Sequence, residues 1–132
     1  MEDPVNPLLY VLAYGAGFVA QGVPADLDGL AKIIEEGIRY PGFAFINVQS
    51  PCVSFGDPEN QVKVQKTRMR KLAAEGHDVT NRLRAMELAQ DYGRELYTGV
   101  LYRNPNPPPT YGSQIQALQQ ERMAKKHPGT AA

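Results

Sequence analysis

The sequence predicts an α/β domain built on a parallel βαβ unit and interrupted by a helical insertion. Three observations carry that prediction. Phe43 to Gln49 is a largely apolar run closed by Ser50-Pro51, as expected of a strand buried on both faces of a parallel sheet. Phe18-Val19-Ala20 is a shorter apolar run ended by Gly22. Between them, Leu27, Leu30, Ala31, Ile34 and Ile38 recur at the spacing of one helix face.

Each element has its own local grounds. Asn6-Pro7 ahead of the apolar stretch Leu8 to Tyr14 supplies a cap and a first helical residue, so a short helix is expected there. Gly15-Ala16-Gly17 reads as a tight turn, because phosphate-cradling loops need more glycines ahead of a helix. The βαβ unit spans 18–21, 26–39 and 43–49, with Asp26 or its neighbours capping the helix and Tyr40-Pro41-Gly42 stopping it.

Past Cys52, the apolar residues Val62, Met69, Leu72 and Ala73 follow helical spacing. Lys63, Lys66, Arg68, Arg70 and Lys71 crowd the remaining surface, which predicts an amphipathic helix with a basic side. Gly76 suits its end, His77-Asp78-Val79-Thr80 offers a cap, and Leu83, Met86 and Ala89 share the face of a second helix. Leu96 to Tyr102 reads as a strand. Pro105 and Pro107 to Pro109 impose an extended connector, and a polar helix from about Gly112 to Lys126 closes the chain before a frayed end. The expected organisation is one domain over 1–132: a βαβ core at about 1–56, the helical insertion at about 60–92, and a final strand and helix at about 96–126.

Fourteen basic and fourteen acidic residues cancel, so no global field calls for nucleic acid or a membrane surface. No apolar run approaches the roughly 20 residues that span a bilayer, and Met1-Glu2-Asp3-Pro4 is the wrong opening for a signal peptide. A cytoplasmic protein is expected, and a single cysteine fits a reducing compartment.

Chemistry is expected at the carboxyl end of the 43–49 strand, where sites gather in open α/β sheets. Cys52 follows that end. It can be a small buried hydrophobe or a reactive thiol with a lowered pKa. His77 and His127, the only histidines, have no serine or cysteine partner in the pattern. The basic side Lys63 to Lys71 is a solvated face or a receptor for an anionic partner. Glu35 and Glu36 fall near the solvent-facing end of a helix and receive no catalytic role, while Phe18, Phe43, Phe45 and Ile46 are core candidates.

Taken in order, NPLLYVLAYGAGFVAQG (6–22), the helical stretch 24–40, INVQSPCVSFG (46–56), KLAAEGHDVTNRLRAMELA (71–89) and GVLYRNPNPPPTY (99–111) resemble the carboxyl-terminal part of the β subunit of 2-oxoacid:ferredoxin oxidoreductases. The resemblance implies a partial parallel-sheet thiamine-diphosphate-binding fold. It also implies a part in the oxidative decarboxylation of a 2-oxoacid to an acyl-CoA, with electrons passed to ferredoxin. The complete enzyme of that family uses thiamine diphosphate, Mg2+, a [4Fe–4S] cluster and coenzyme A. By the same resemblance, Cys52 is an iron–sulfur ligand whose three companion cysteines come from the earlier part of the subunit.

That earlier part also carries a CPGC-type pair and a GDG motif that grips Mg2+ and diphosphate. Neither occurs here: FGDPEN (55–60) ends its Gly-Asp in Pro-Glu, and there is no second cysteine. The chain is therefore expected to be inactive alone and to work with the remaining part of the β subunit and an α/γ-type subunit, or as an oligomer. The competing expectation is a non-catalytic interaction or structural module derived from that fold.

Overall fold

The computed structural model describes residues 5–52, 54–55 and 61–126. The chain runs α1 (Pro7–Ala13), β1 (Phe18–Gly22), α2 (Leu27–Arg39), β2 (Ala44–Val48), α3 (Val62–Arg68), β3 (Met69–Lys71), α4 (Arg82–Gln90), β4 (Leu96–Arg103) and α5 (Tyr111–Lys126). The α/β class and the βαβ unit stand as the sequence predicts. The sheet has the order β2-β1-β4-β3. Its β1–β2 and β3–β4 pairs are parallel, whereas β1 and β4 run antiparallel.

Side-chain chemistry sets the helix starts. Asn6 Oδ1 accepts from Leu9 N at 3.1 Å with Pro7 in the first turn, Asp26 Oδ1 accepts from Gly29 N at 3.4 Å, and Asn81 Oδ1 accepts from Arg84 N at 3.0 Å. Each satisfies an orphan N–H of a first turn. The cap expected within His77–Thr80 falls instead at Asn81, because Asp78 is engaged in its own turn, accepting from Thr80 N at 2.9 Å and Thr80 Oγ1 at 2.7 Å. These bonds to the charged form hold the Asp78 carboxyl below its ordinary pKa.

Two apolar clusters lie on opposite faces of the sheet. One gathers Leu8 and Leu12 of α1, Ala85, Leu88 and Ala89 of α4, Leu72, and Val19 and Leu101 from the strands. The other gathers Phe18 and Ala20 of β1 with Ile33 and Tyr40. A helix layer, the sheet and a second helix layer thus form the architecture.

Several expectations need correction. The amphipathic helix stops at Arg68, and Met69–Lys71 extends as β3 against β4, so the 60–92 region is not a purely helical insertion. Pairing with a well-buried strand outweighs the helical spacing of Met69 and Leu72. The strand at 43–49 is not buried on both faces: β2 is half-exposed throughout and forms an edge of the sheet. Phe43, expected in the core, is 65% exposed. Leu83 faces solvent as well, because α4 buries Ala85, Leu88 and Ala89.

Helix α2 shows the largest rotation from expectation. It buries Ile33 and Gly37, while Leu27, Ala31, Ile34 and Ile38 stay exposed. The reason is Gly37: a Cβ there would lie 2.8 Å from Ile46 Cδ1 of β2. Only a glycine lets the strand come that close, and the helix turns to present it.

Candidate functional site

The carboxyl ends of β1 and β2 coincide because the two strands are parallel, and Cys52 follows them by four residues. Gln49 N donates to Gly22 O at 3.0 Å, extending the pairing past β2, and Ser50 N donates to Val48 O at 3.0 Å to start a turn. Cys52 is exposed. Phe55 N donates to its Sγ at 3.4 Å. The thiol is therefore presented outward. The alternative of a small buried hydrophobe is set aside by its exposure.

A buried amide network underlies this loop. Gln21, 2% exposed, donates from Nε2 to Tyr97 O of β4 at 2.8 Å. Its Oε1 accepts from Asn47 Nδ2 at 2.7 Å and from Gln49 Nε2 at 3.2 Å. Gln65 of α3 then donates from Nε2 to Gln49 O at 2.8 Å. One side chain joins β4 to β2, and a second ties α3 to the residue from which the Cys52 loop departs. Sequence reasoning did not single out these glutamines. A signal existed: Asn47 and Gln49 sit two apart in a run otherwise apolar, which puts both on one face of the strand.

On the face of the sheet covered by α2, a cavity of about 400 Å³ adjoins the network, lined by Gln21, Asp26, Leu30, Lys71, His77 and Thr98 among others. Lys71 Nζ closes part of its rim on Asp26 Oδ2 at 2.8 Å. That bond, ahead of the one from Gly29 N–H, holds the Asp26 carboxyl below its usual pKa against the opposing effect of burial.

The other sequence candidates do not converge on a site. His77 Nε2 lies 2.7 Å from Leu101 O, a bond that needs the proton on Nε2 and marks a structural histidine. His127 and Gly56–Asn60 lie outside the described residues. The basic side is dispersed: Arg70 pairs with Glu75 and Glu95 and lies over the Tyr97 ring, Lys71 serves Asp26, and Arg68 donates to Arg94 O at 2.7 Å. Lys63 and Lys66 remain exposed on α3. Glu35 pairs with Arg39, and Glu36 with Arg103. Gly15 adopts φ 88° in the expected turn. Among the described residues no cluster of three or more His, Cys, Asp or Glu could hold a metal ion, and no helix is long and apolar enough to cross a membrane.

The family model for the carboxyl-terminal region of the pyruvate ferredoxin oxidoreductase β chain matches residues 52–120, beginning at the exposed cysteine. The chain belongs to this family. It is similar to subunit β of 2-oxoacid:ferredoxin oxidoreductase 1 of Aeropyrum pernix, 28% identical over 97% of this chain and 40% of that protein. It is also similar to 2-oxoglutarate synthase subunit KorB of Methanothermobacter thermautotrophicus, 28% identical over 81% of this chain and 37% of that subunit. The solved structure of a 2-oxoglutarate:ferredoxin oxidoreductase from Magnetococcus marinus with 2-oxoglutarate, coenzyme A and succinyl-CoA bound matches with a TM-score of 0.77. That match is 29% identical and covers 99% of this chain and 46% of that one. The chain thus spans less than half the length of the proteins it matches.

Proposed function

We propose that the chain is the carboxyl-terminal part of a 2-oxoacid:ferredoxin oxidoreductase β subunit and that it contributes Cys52 as one thiolate of a [4Fe–4S] cluster. The observation that supports this most is the position of Cys52: exposed, on a loop leaving the ends of a parallel strand pair, in a chain that aligns almost end to end with such subunits.

The residues fit one quarter of the cluster's needs. Such a cluster takes four cysteine thiolates, and this chain has one cysteine, so the other three come from the rest of the subunit. When bound, the cluster supplies one-electron transfer, and the thiamine diphosphate of the complete enzyme supplies carbanion chemistry on the 2-oxoacid. The Phe55 N–H would remain on the ligating sulfur, and hydrogen bonds to cluster sulfurs tune the reduction potential. The Gln21–Gln49–Gln65 network holds the base of the loop so that the thiolate keeps its place. Coenzyme A, ferredoxin, Mg2+ and an α/γ-type subunit belong to the same reading, as do an inactive isolated chain, a cytoplasmic location and a preference for association over a free monomer.

The test joins the unmatched amino-terminal part of the Aeropyrum pernix β subunit to this chain, followed by anaerobic reconstitution with iron and sulfide. The fused polypeptide is expected to bind a cluster seen by electron paramagnetic resonance after reduction, and Cys52→Ser is expected to lower its iron content and alter that spectrum. An unchanged spectrum and iron content in Cys52→Ser would remove the ligand role.

A further inference from the structure

We propose that the exposed face of α3 carrying Lys63 and Lys66 docks an acidic ferredoxin beside the Cys52 loop, with the Phe55 ring as its apolar contact. The identity of the partner rests on the family reading above, whereas the surface does not depend on Cys52 holding iron.

The sequence crowds five cations between Lys63 and Lys71, and folding divides them into two groups. Arg70 pairs with Glu75 and Glu95, Lys71 crosses to Asp26, and Arg68 donates to Arg94 O, so these three brace the chain internally. Lys63 and Lys66 take no part in that bracing: both are exposed, and neither has an ion pair among the described residues. They lie three apart and so share one helix face, with Thr67 exposed in the same stripe. Gln65 is fully buried and points to the other side of the helix.

That buried glutamine gives the face its place. Its Nε2 donates to Gln49 O at 2.8 Å, three residues before Cys52, so α3 flanks the loop that presents the sulfur. On the loop itself the Phe55 ring is 95% exposed, while its N–H holds the Cys52 Sγ. A carrier that takes electrons at this end of the subunit must approach that sulfur, and it meets the ring and the two ammonium groups there. Unpaired ammonium groups are too costly to bury against an apolar surface, so the face selects water or carboxylates and rejects an apolar occupant. Electron-transfer encounters have small interfaces, below about 1,200 Å², and complementary charge serves them by steering approach more than by tight binding. Ferredoxin is the acceptor named in the activity of the Aeropyrum and Magnetococcus relatives.

Isothermal titration calorimetry of the fused polypeptide described above with a purified acidic [4Fe–4S] ferredoxin tests the proposal, with iron content and paramagnetic resonance read on the same samples. Lys63→Glu with Lys66→Glu is expected to weaken binding about 10-fold at about 0.05 M salt and to lose most of that effect at about 0.5 M, with iron content and spectrum unchanged. Phe55→Ala should weaken it by about 10-fold at both salt concentrations, as loss of an apolar anchor does. Lys125→Glu with Lys126→Glu makes the same charge change on α5 and should leave the affinity as it is. Unchanged affinity in the α3 variant overturns the proposal, and so does an equal loss from both lysine pairs, which would reduce the effect to net charge. Loss of coenzyme A affinity with ferredoxin affinity kept also overturns it, since a nucleotide anion would then own the face. The docking result is read whether or not Cys52→Ser changes the cluster, so the two readings fail separately. Should the fusion not fold, the nitrogen-15-labelled chain alone is titrated with the same ferredoxin: amide signals of α3 are expected to shift, and shifts confined to other segments would refute the docking face.

Discussion

Replacing Gln21 by Leu removes the centre of the amide network while nearly keeping its volume. Two of its hydrogen bonds are short, at 2.8 Å to Tyr97 O and 2.7 Å from Asn47, and the third is longer at 3.2 Å from Gln49. A neutral hydrogen bond contributes about 1 kcal/mol net, and a buried acceptor deprived of its donor costs about 1–3 kcal/mol. Asn47 and Gln49 are only half-buried, so water can replace Gln21 for them, and the cost falls on the Tyr97 carbonyl. Leucine recovers some stability from apolar burial, leaving an expected loss of about 2–3 kcal/mol. Urea unfolding followed by circular dichroism measures it, with the slope unchanged if the native fold persists. Gln49→Ala, which gives up only the longest of the three bonds, is expected to cost under about 1 kcal/mol. If the two variants cost the same, or if Gln21→Leu costs less than about 0.5 kcal/mol, the network does not bind β4 to β2 in the way described.

Two other outcomes follow from buried or paired polar groups. The Tyr40 hydroxyl is buried without a hydrogen-bond partner among the described residues, and burial raises its pKa; Tyr40→Phe should stabilise the fold by up to about 1 kcal/mol in the same unfolding assay, and a loss of that size would reveal a partner for the hydroxyl. The Asp26 carboxyl has a lower pKa folded than unfolded, so its contribution is complete above the unfolded value of about 3.9 and disappears as pH falls through the folded one. Asp26→Asn keeps a capping side chain; its deficit against the parent should be present at neutral pH and vanish in strong acid, and a deficit independent of pH would exclude the Lys71 pair as its source.

The sequence was most legible where local signals and burial agreed. The Asn6-Pro7 start, the β1 and β4 runs and both ends of α2 lie where capping residues and apolar runs place them. Misreadings came from contacts between segments distant in sequence. The α2 residues are spaced as expected but rotated, because glycine carries no hydrophobic signal and yet Gly37 makes the closest approach to β2. Met69 to Lys71 looks helical until β4 offers a partner. At the candidate site, Cys52 stood out as a lone thiol beyond a strand end. The glutamines beneath it did not, because an amide's importance depends on whether folding buries it, as Gln21 and Gln65 are buried.

The two edges of the sheet are built differently. At β3 the chain completes itself: Leu72 N donates to Thr98 O at 3.0 Å, Arg70 bonds Glu75, Glu95 and the Tyr97 hydroxyl, and Lys71 crosses to Asp26. These contacts join the insertion to the βαβ unit without help from another polypeptide. At β2 the reverse holds, since among the described residues no strand pairs with its outer edge and Leu27, Ile34 and Ile38 of α2 stay exposed. The Cys52 loop leaves from the carboxyl end of that same open strand. The base of that loop is held from within the chain, since Gln65 Nε2 donates to Gln49 O at 2.8 Å and Gln49 Nε2 donates to Gln21 Oε1 at 3.2 Å, so loosening either contact would free the Cys52 segment before it disturbed the β3 edge.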